Sequence, residues 1–186
     1  KWDCSNYKLE EENFLTFIKN YIKTNNSLHK KNISTTLEIN EDIKRELNNK
    51  ILILANKQLL KTAFNCIVEN ADRHGFIDTK KNYKIKFNIS LSSEKIENNP
   101  DLQEKVTYVK IEVSNNGKLF PDNFTRDELI RRNFRASETG NTGQGGYILN
   151  DIIKYFNKGI SSLDIITDNP NTDFKTTYVF LIPLNL

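Results

Sequence analysis

The chain has no methionine, one tryptophan, two cysteines and two histidines in 186 residues. Cys4 and Cys66 form no disulfide framework and no metal-ligand spacing, which fits a reducing, cytoplasmic setting. No apolar run approaches the roughly 18 residues that a spanning helix needs, and no signal peptide is visible. There is no repeat, no low-complexity tract and no internal linker. A net charge of +3 is too small to point to nucleic acid as a partner. The missing methionine, together with a start at Lys1-Trp2, reads as a piece of a longer protein. What is present suits a soluble globular domain: 37% hydrophobic and 27% charged residues, enough to bury a core without metal or disulfide support. The abundance of Asn, Lys and Ile reads as nucleotide bias in the gene.

Periodicity gives the element order. Phe14, Leu15, Ile18, Tyr21 and Ile22 recur at helical spacing within Asn13 to Lys23. Strands are expected over Asn32–Ile39 and Ile51–Leu54, then a long helix from Lys57 to a cation-then-glycine stop at His74-Gly75. Tyr83–Leu91 and Val106–Ser114 read as a hairpin joined by an exposed loop, SSEKIENNPDLQEK. Asn115 to Thr142 reads as one long loop, the kind that tends to be functional. A helix from about Gly145 to Phe156 and two strands, SLDIITD and FKTTYVFLIPL, close the chain. The expected fold is an α/β (α+β) two-layer sandwich, a mixed sheet with helices on one face.

Two features carry chemistry. On the Lys57 helix, Leu59, Leu60, Ala63, Phe64, Ile67, Val68 and Ala71 share one face, and Asn70 and His74 lie on its margin. A buried amide left without partners costs about 1–3 kcal/mol, so Asn70 must bond to something. It is either a satisfied core amide or a carbonyl oxygen offered to a hard cation such as Mg2+. Further on, a chain with 7 glycines places Gly143, Gly145 and Gly146 within four residues, directly before an apolar helix. Such a helix N-terminus suits phosphate, although an ordinary turn would read the same way.

ENADRHG (Glu69–Gly75), SNNGKLF (Ser114–Phe120), TGQGGYI (Thr142–Ile148) and KTTYVFLIP (Lys175–Pro183) stand in this order. Together they resemble the nucleotide-binding boxes of the GHKL (Bergerat-fold) ATPase superfamily, and within it the ATP-binding catalytic domain of sensor histidine kinases. The resemblance covers roughly Ile33 to Leu184, and NFRASETGNTG (Asn133–Gly143) looks like the short ATP lid. It implies a mostly antiparallel sheet covered on one face by three helices. It also implies a division at residue 30, with residues 1–30 as a helix leading from an upstream region and 31–186 as the ATP-binding domain.

The resemblance implies ATP and Mg2+ as cofactors. Asn70 would hold the Mg2+ ion, and Glu69 would position a water or polarise the attacking group. Arg73, His74, Asn115, Gly117, Leu119, Arg135, Thr142, Gly143, Gln144, Gly145, Gly146 and Thr176 would line the nucleotide. Departures from the family pattern are Asn115 for an Asp that accepts the adenine amino proton, Leu119 for a glycine, and Lys175 for a glycine. Gln144 and Gly146 stand where leucines are usual. Hydrolysing members carry a Glu four residues before the magnesium Asn, where this chain has Cys66. His29 sits in a polar turn, so no phosphoacceptor is evident. The implied activity is histidine kinase catalysis toward a His on an upstream dimerisation region, in a homodimer that serves a response regulator, with neither nucleic acid nor membrane contacted. A GHKL ATP-binding switch, an anti-sigma-type kinase and a nucleotide-free interaction scaffold are the alternatives.

Overall fold

Alternation of apolar and polar residues along the strands sets the architecture, because one sheet face must be buried. A computed structural model describes residues 3–28, 33–48, 50–78, 81–93, 106–121, 124–133, 144–167 and 172–185. In chain order the elements are β1 (Glu10–Asn13), α1 (Phe14–Leu28), β2 (Ile33–Ile39), α2 (Glu41–Glu46), β3 (Leu52–Ala55), α3 (Lys57–Asn70), β4 (Tyr83–Ser92), β5 (Tyr108–Asn115), α4 (Arg126–Ile130), α5 (Gly145–Phe156), β6 (Asp164–Ile166) and β7 (Thr176–Pro183). Five strands form one sheet in the order β2-β4-β5-β7-β6. β2 runs parallel to β4, and the remaining neighbours are antiparallel. This is the expected mixed, mostly antiparallel sheet.

One face of that sheet is apolar. β4 gives Ile85, Phe87 and Ile89, β5 gives Val109, Ile111 and Val113, and β7 gives Tyr178, Phe180 and Ile182. The apolar faces of α1, α3 and α5 join the same core. Phe64 of α3 is its hub, with ring centroids 5.5 Å from Phe87, 6.1 Å from Phe180 and 5.3 Å from Tyr21. α1 is packed on the domain: Phe14, Leu15 and Ile18 are buried, and the Tyr21 hydroxyl donates to Asn65 Oδ1 at 3.0 Å. The other sheet face is polar, with Lys86 on Glu38 at 2.7 Å and Asn88 Nδ2 donating to Glu112 at 2.8 Å. An antiparallel-rich sheet with one wet face needs this pattern.

Several elements differ from the sequence reading. β3 leaves the main sheet and pairs with β1 in a separate antiparallel pair, Glu10↔Ala55 to Asn13↔Leu52. β1 reads EEEN and α2 spans six residues, so neither offers an apolar period to detect. α4 lies inside the stretch expected as loop, held by a capping box between Thr125 and Glu128. The Lys57 helix is α-helical only to Asn70, and Ala71–Gly75 make one wide π turn closed by Phe76 N donating to Ala71 O at 2.8 Å. Such turns occur often at functional sites. Most of the loop expected between β4 and β5 (residues 94–105) falls outside the described residues.

Because Phe64 has no exposed surface and meets rings on three sides, Phe64→Ala should lose about 3–5 kcal/mol of stability. Urea unfolding followed by circular dichroism measures this. A loss below about 1 kcal/mol would show that the ring is not central to the core.

Candidate functional site

The core rows end in polar residues at one end of the sheet. Moving outward, the row Phe87–Val113–Tyr178 is followed by Ile85–Asn115–Thr176, cross-strand partners that face the helices. Asn115 and Thr176 are 5% and 2% exposed, so two amide or hydroxyl side chains stand where apolar ones would be expected. Thr176 Oγ1 is buried with no partner among the described residues. Its neighbour Thr177 is satisfied by Ser114 Oγ at 2.8 Å. An orphaned buried hydroxyl costs free energy unless a ligand or water completes it, so Thr176 fits a group bound against this row.

α3 brings the second set. Asn70 Nδ2 donates to the Tyr178 hydroxyl at 2.7 Å, across the helix–sheet interface. Tyr178 is fully within the core, and burial pushes its hydroxyl pKa well above the usual range, so it stays protonated. The Tyr178 hydroxyl holds one end of the amide against the sheet and leaves the other for a ligand; with nitrogen toward the tyrosine, that end is the carbonyl oxygen. Beside it, Arg73 pairs with Glu69 at 3.1 Å, one helical turn apart and with both side chains about half exposed. His74 Nδ1 is buried with no partner among the described residues.

The π turn then meets the exit of β5. Lys118 N donates to Gly75 O at 2.9 Å, and Gly117 N donates to Asn115 Oδ1 at 3.0 Å. A Cβ on Gly117 would stand 2.8 Å from Gly75 Cα and 2.9 Å from its carbonyl carbon. Gly117 is therefore needed for a crossing of two backbones. Leu119 is 39% exposed and packs into no core.

The N-terminus of α5 carries the glycine-rich box. Gln144 takes the N-cap position without a side-chain cap among the described residues, its Nε2 reaching Asn133 Oδ1 at 3.5 Å. The adjoining glycines do different work. A Cβ on Gly145 would meet nothing within 4 Å among the described residues, whereas one on Gly146 would stand 2.0 Å from the Leu129 carbonyl oxygen. Gly146 serves the close packing of α4 on α5, while Gly145 leaves open space at the helix start. α4 is clamped in turn: Arg126 donates to Leu163 O at 2.5 Å and to Ser161 Oγ at 2.7 Å. Arg135, Thr142 and Gly143 lie outside the described residues.

Cys66 is pushed up to about 12, first by burial and then by the charge of Glu69, so its thiol is neutral at ordinary pH. Among the described residues no group of three or more His, Cys, Asp or Glu side chains comes together. A hard cation at Asn70 would take one amide oxygen and complete its shell from water and phosphate, as Mg2+ does. Sequence reasoning did not single out the Tyr178 hydroxyl. The signal for it was its place two residues beyond Thr176 on the same strand face.

No family model and no curated protein matches the chain. Solved structures do. The mycobacterial sensor histidine kinase MprB aligns at TM-score 0.66 with 11% identity, over 95% of this chain and 98% of that one. The catalytic domain of histidine kinase ThkA aligns at 0.62 with 20% identity, covering 95% of each chain. The ATP-binding domain of PrrB from Mycobacterium tuberculosis aligns at 0.62 with 11% identity, covering 96% and 99%. The chain has the histidine kinase catalytic-domain fold. Asn70, Asn115 and Thr176, which gather at one end of the sheet, come from three of the four boxes noted in the sequence.

The two adjacent glycines should separate on substitution. Gly145→Ala should keep or raise the melting temperature, since a helical alanine is favoured by about 0.5–1 kcal/mol over glycine. Gly146→Ala should lower it by several degrees, because α4 must move off α5. Equal effects in thermal melting would contradict the packing role of Gly146.

Proposed function

We propose that this chain binds a nucleoside triphosphate with Mg2+ and serves as the catalytic domain of a sensor histidine kinase. The reading rests above all on Asn70, whose amide is fixed through nitrogen to Tyr178 so that its oxygen is the free end. The fold supports it, since PrrB carries that fold as an ATP-binding domain and ThkA as a kinase catalytic domain.

Phosphoryl transfer asks the protein mainly for positioning and charge neutralisation. The base would rest against Asn115 and Thr176, whose buried hydroxyl lacks a partner among the described residues. The phosphates would face the start of α5, where backbone amides and the positive helix end favour anions. A Cβ on Gly145 would meet nothing within 4 Å among the described residues, which supports that approach. Mg2+ when bound would neutralise phosphate charge, held by the Asn70 oxygen. Glu69, paired with Arg73, would polarise an incoming acceptor. Arg73 can exchange that half-exposed pair, worth about 1 kcal/mol or less, for a phosphate. His74, Gly117, Leu119, Arg135, Thr142, Gly143, Gln144 and Gly146 complete the proposed lining.

The acceptor would be a histidine on an upstream dimerisation region, with residues 1–30 leading in from it, in a cytoplasmic homodimer that passes phosphate to a response regulator. Hydrolysis is the weaker reading: a neutral Cys66 stands where a water-activating carboxylate would be needed.

Asn70→Ala tests the core of this reading. Calorimetric titration with a non-hydrolysable ATP analogue should show binding that needs Mg2+. The variant should lose at least about tenfold in affinity, the equivalent of roughly 1.4 kcal/mol. Binding by the variant equal to the parent would remove Asn70 from the site, and no binding by the parent at millimolar analogue would favour a scaffold.

A further inference from the structure

The proposed nucleotide site has one residue whose orientation is decided by the backbone around it. A carboxylate at the end of β5 would have two equivalent acceptor oxygens, one for a backbone N–H and one for a ligand. An asparagine has a single oxygen. At Asn115 that oxygen accepts from Gly117 N–H at 3.0 Å. The alternative amide orientation would set an NH2 group against that N–H, donor against donor, so the assignment follows from the turn itself.

The oxygen is also enclosed. A Cβ on Gly117 would meet it at 3.0 Å and one on Gly75 at 3.6 Å, so it sits within the glycine crossing, and Asn115 as a whole is only 5% exposed. The two glycine backbones thus crowd the oxygen that the turn already uses. The end of the amide turned away from the crossing is Nδ2, a pure donor. Across the strand pair stands Thr176, whose hydroxyl has no partner among the described residues and can donate or accept as a ligand requires.

We infer that Asn115 presents its amide NH2 to the base, so that this site favours a purine carrying a carbonyl at the six-position over one carrying an amino group there. The inference rests on the nucleotide-binding reading above and specifies its base. An aminopurine such as adenine offers a donor at its six-position and an acceptor at the neighbouring ring nitrogen. Facing Asn115, its amino group meets another donor. An oxopurine such as hypoxanthine or guanine offers the opposite pattern: its carbonyl accepts from Asn115 Nδ2, and its ring N–H can donate to the Thr176 hydroxyl. Every polar atom of the pair is then satisfied. One mismatched buried hydrogen bond corresponds to roughly tenfold or more in affinity.

The test titrates the chain, with Mg2+ present, against non-hydrolysable analogues of ATP and of inosine triphosphate. These two bases differ at the six-position and in the proton on the adjacent nitrogen, so the comparison isolates the contact. The expected result is an inosine nucleotide bound about tenfold or more tightly than the adenine nucleotide. Asn115→Asp, which restores a second acceptor oxygen, should reverse the order. Adenine binding as tight as inosine, or tighter, in the unsubstituted chain overturns the inference and leaves nucleotide binding standing. Binding of neither nucleotide at millimolar concentration removes the nucleotide reading itself. Because the comparison within the unsubstituted chain decides the question, the outcome does not depend on how well Asn115→Asp folds.

Discussion

Just beyond the ends of α3 and β5, the backbones at Gly75 and Gly117 come so close that position 117 admits no side chain. A single Cβ on Gly117 would stand 2.8 Å from the Cα of Gly75, nearer than packed carbon atoms tolerate. The contact is held by Lys118 N donating to Gly75 O at 2.9 Å. It joins the last turn of the long helix to the strand that carries Asn115. It also turns the chain so that Gly117 N–H reaches the Asn115 oxygen. One turn earlier on the helix, Asn70 reaches over the sheet end to Tyr178. These polar groups are ordered before any ligand arrives, and pre-organised polar groups give binding its orientation without further ordering cost.

The two ends of the proposed site, one for a base and one for phosphates, are built differently. At the base end, everything is inside the core: Asn115, Thr176 and Tyr178 are all at or below 5% exposure. Polar atoms there must be matched pairwise, because an unmatched one is costly in a low-dielectric interior. At the phosphate end, the groups are partly solvated, with the Glu69–Arg73 pair half exposed and the α5 start bearing no side-chain cap among the described residues. Charge attraction there is broad and tolerant of geometry. On the proposed nucleotide reading, selectivity would belong to the base end and affinity for a triphosphate to the other. α4 links the phosphate end to the body through Arg126, which bonds the segment between α5 and β6 at Ser161 and Leu163.

Much of this was legible in the sequence. The long helices showed as apolar stripes, and the strands of the main sheet as alternation, because each buries one face on a shared core. Asn70 stood out as an amide on an apolar margin, and the order of the four boxes led to the fold that the solved structures share. What stayed hidden depends on pairing across the chain. β1, reading EEEN, has no apolar face because its role is to pair with β3. The Tyr178 bond needs the register of β7 against α3, which no single segment encodes. A glycine in a sequence does not disclose what it avoids: Gly117 avoids Gly75, and Gly146 avoids Leu129. The bond from Gly117 N–H to the Asn115 oxygen is likewise a property of the turn that the residue types alone do not disclose.

The central claim is that the ends of α3, β5 and β7 form one Mg2+-dependent nucleotide site. It is tested most directly by a proton–nitrogen correlation spectrum of the labelled chain, titrated with nucleotide in the presence and absence of Mg2+. The Asn70 side-chain amide should already be shifted and slow to exchange in the free chain, through its bond to Tyr178. On addition of nucleotide, the signals of Asn115, Gly117, Thr176 and the start of α5 should move, and the Asn70 amide should respond only when Mg2+ is present. An Asn70 amide that exchanges like a free side chain, or nucleotide shifts confined to other parts of the surface, would contradict the account.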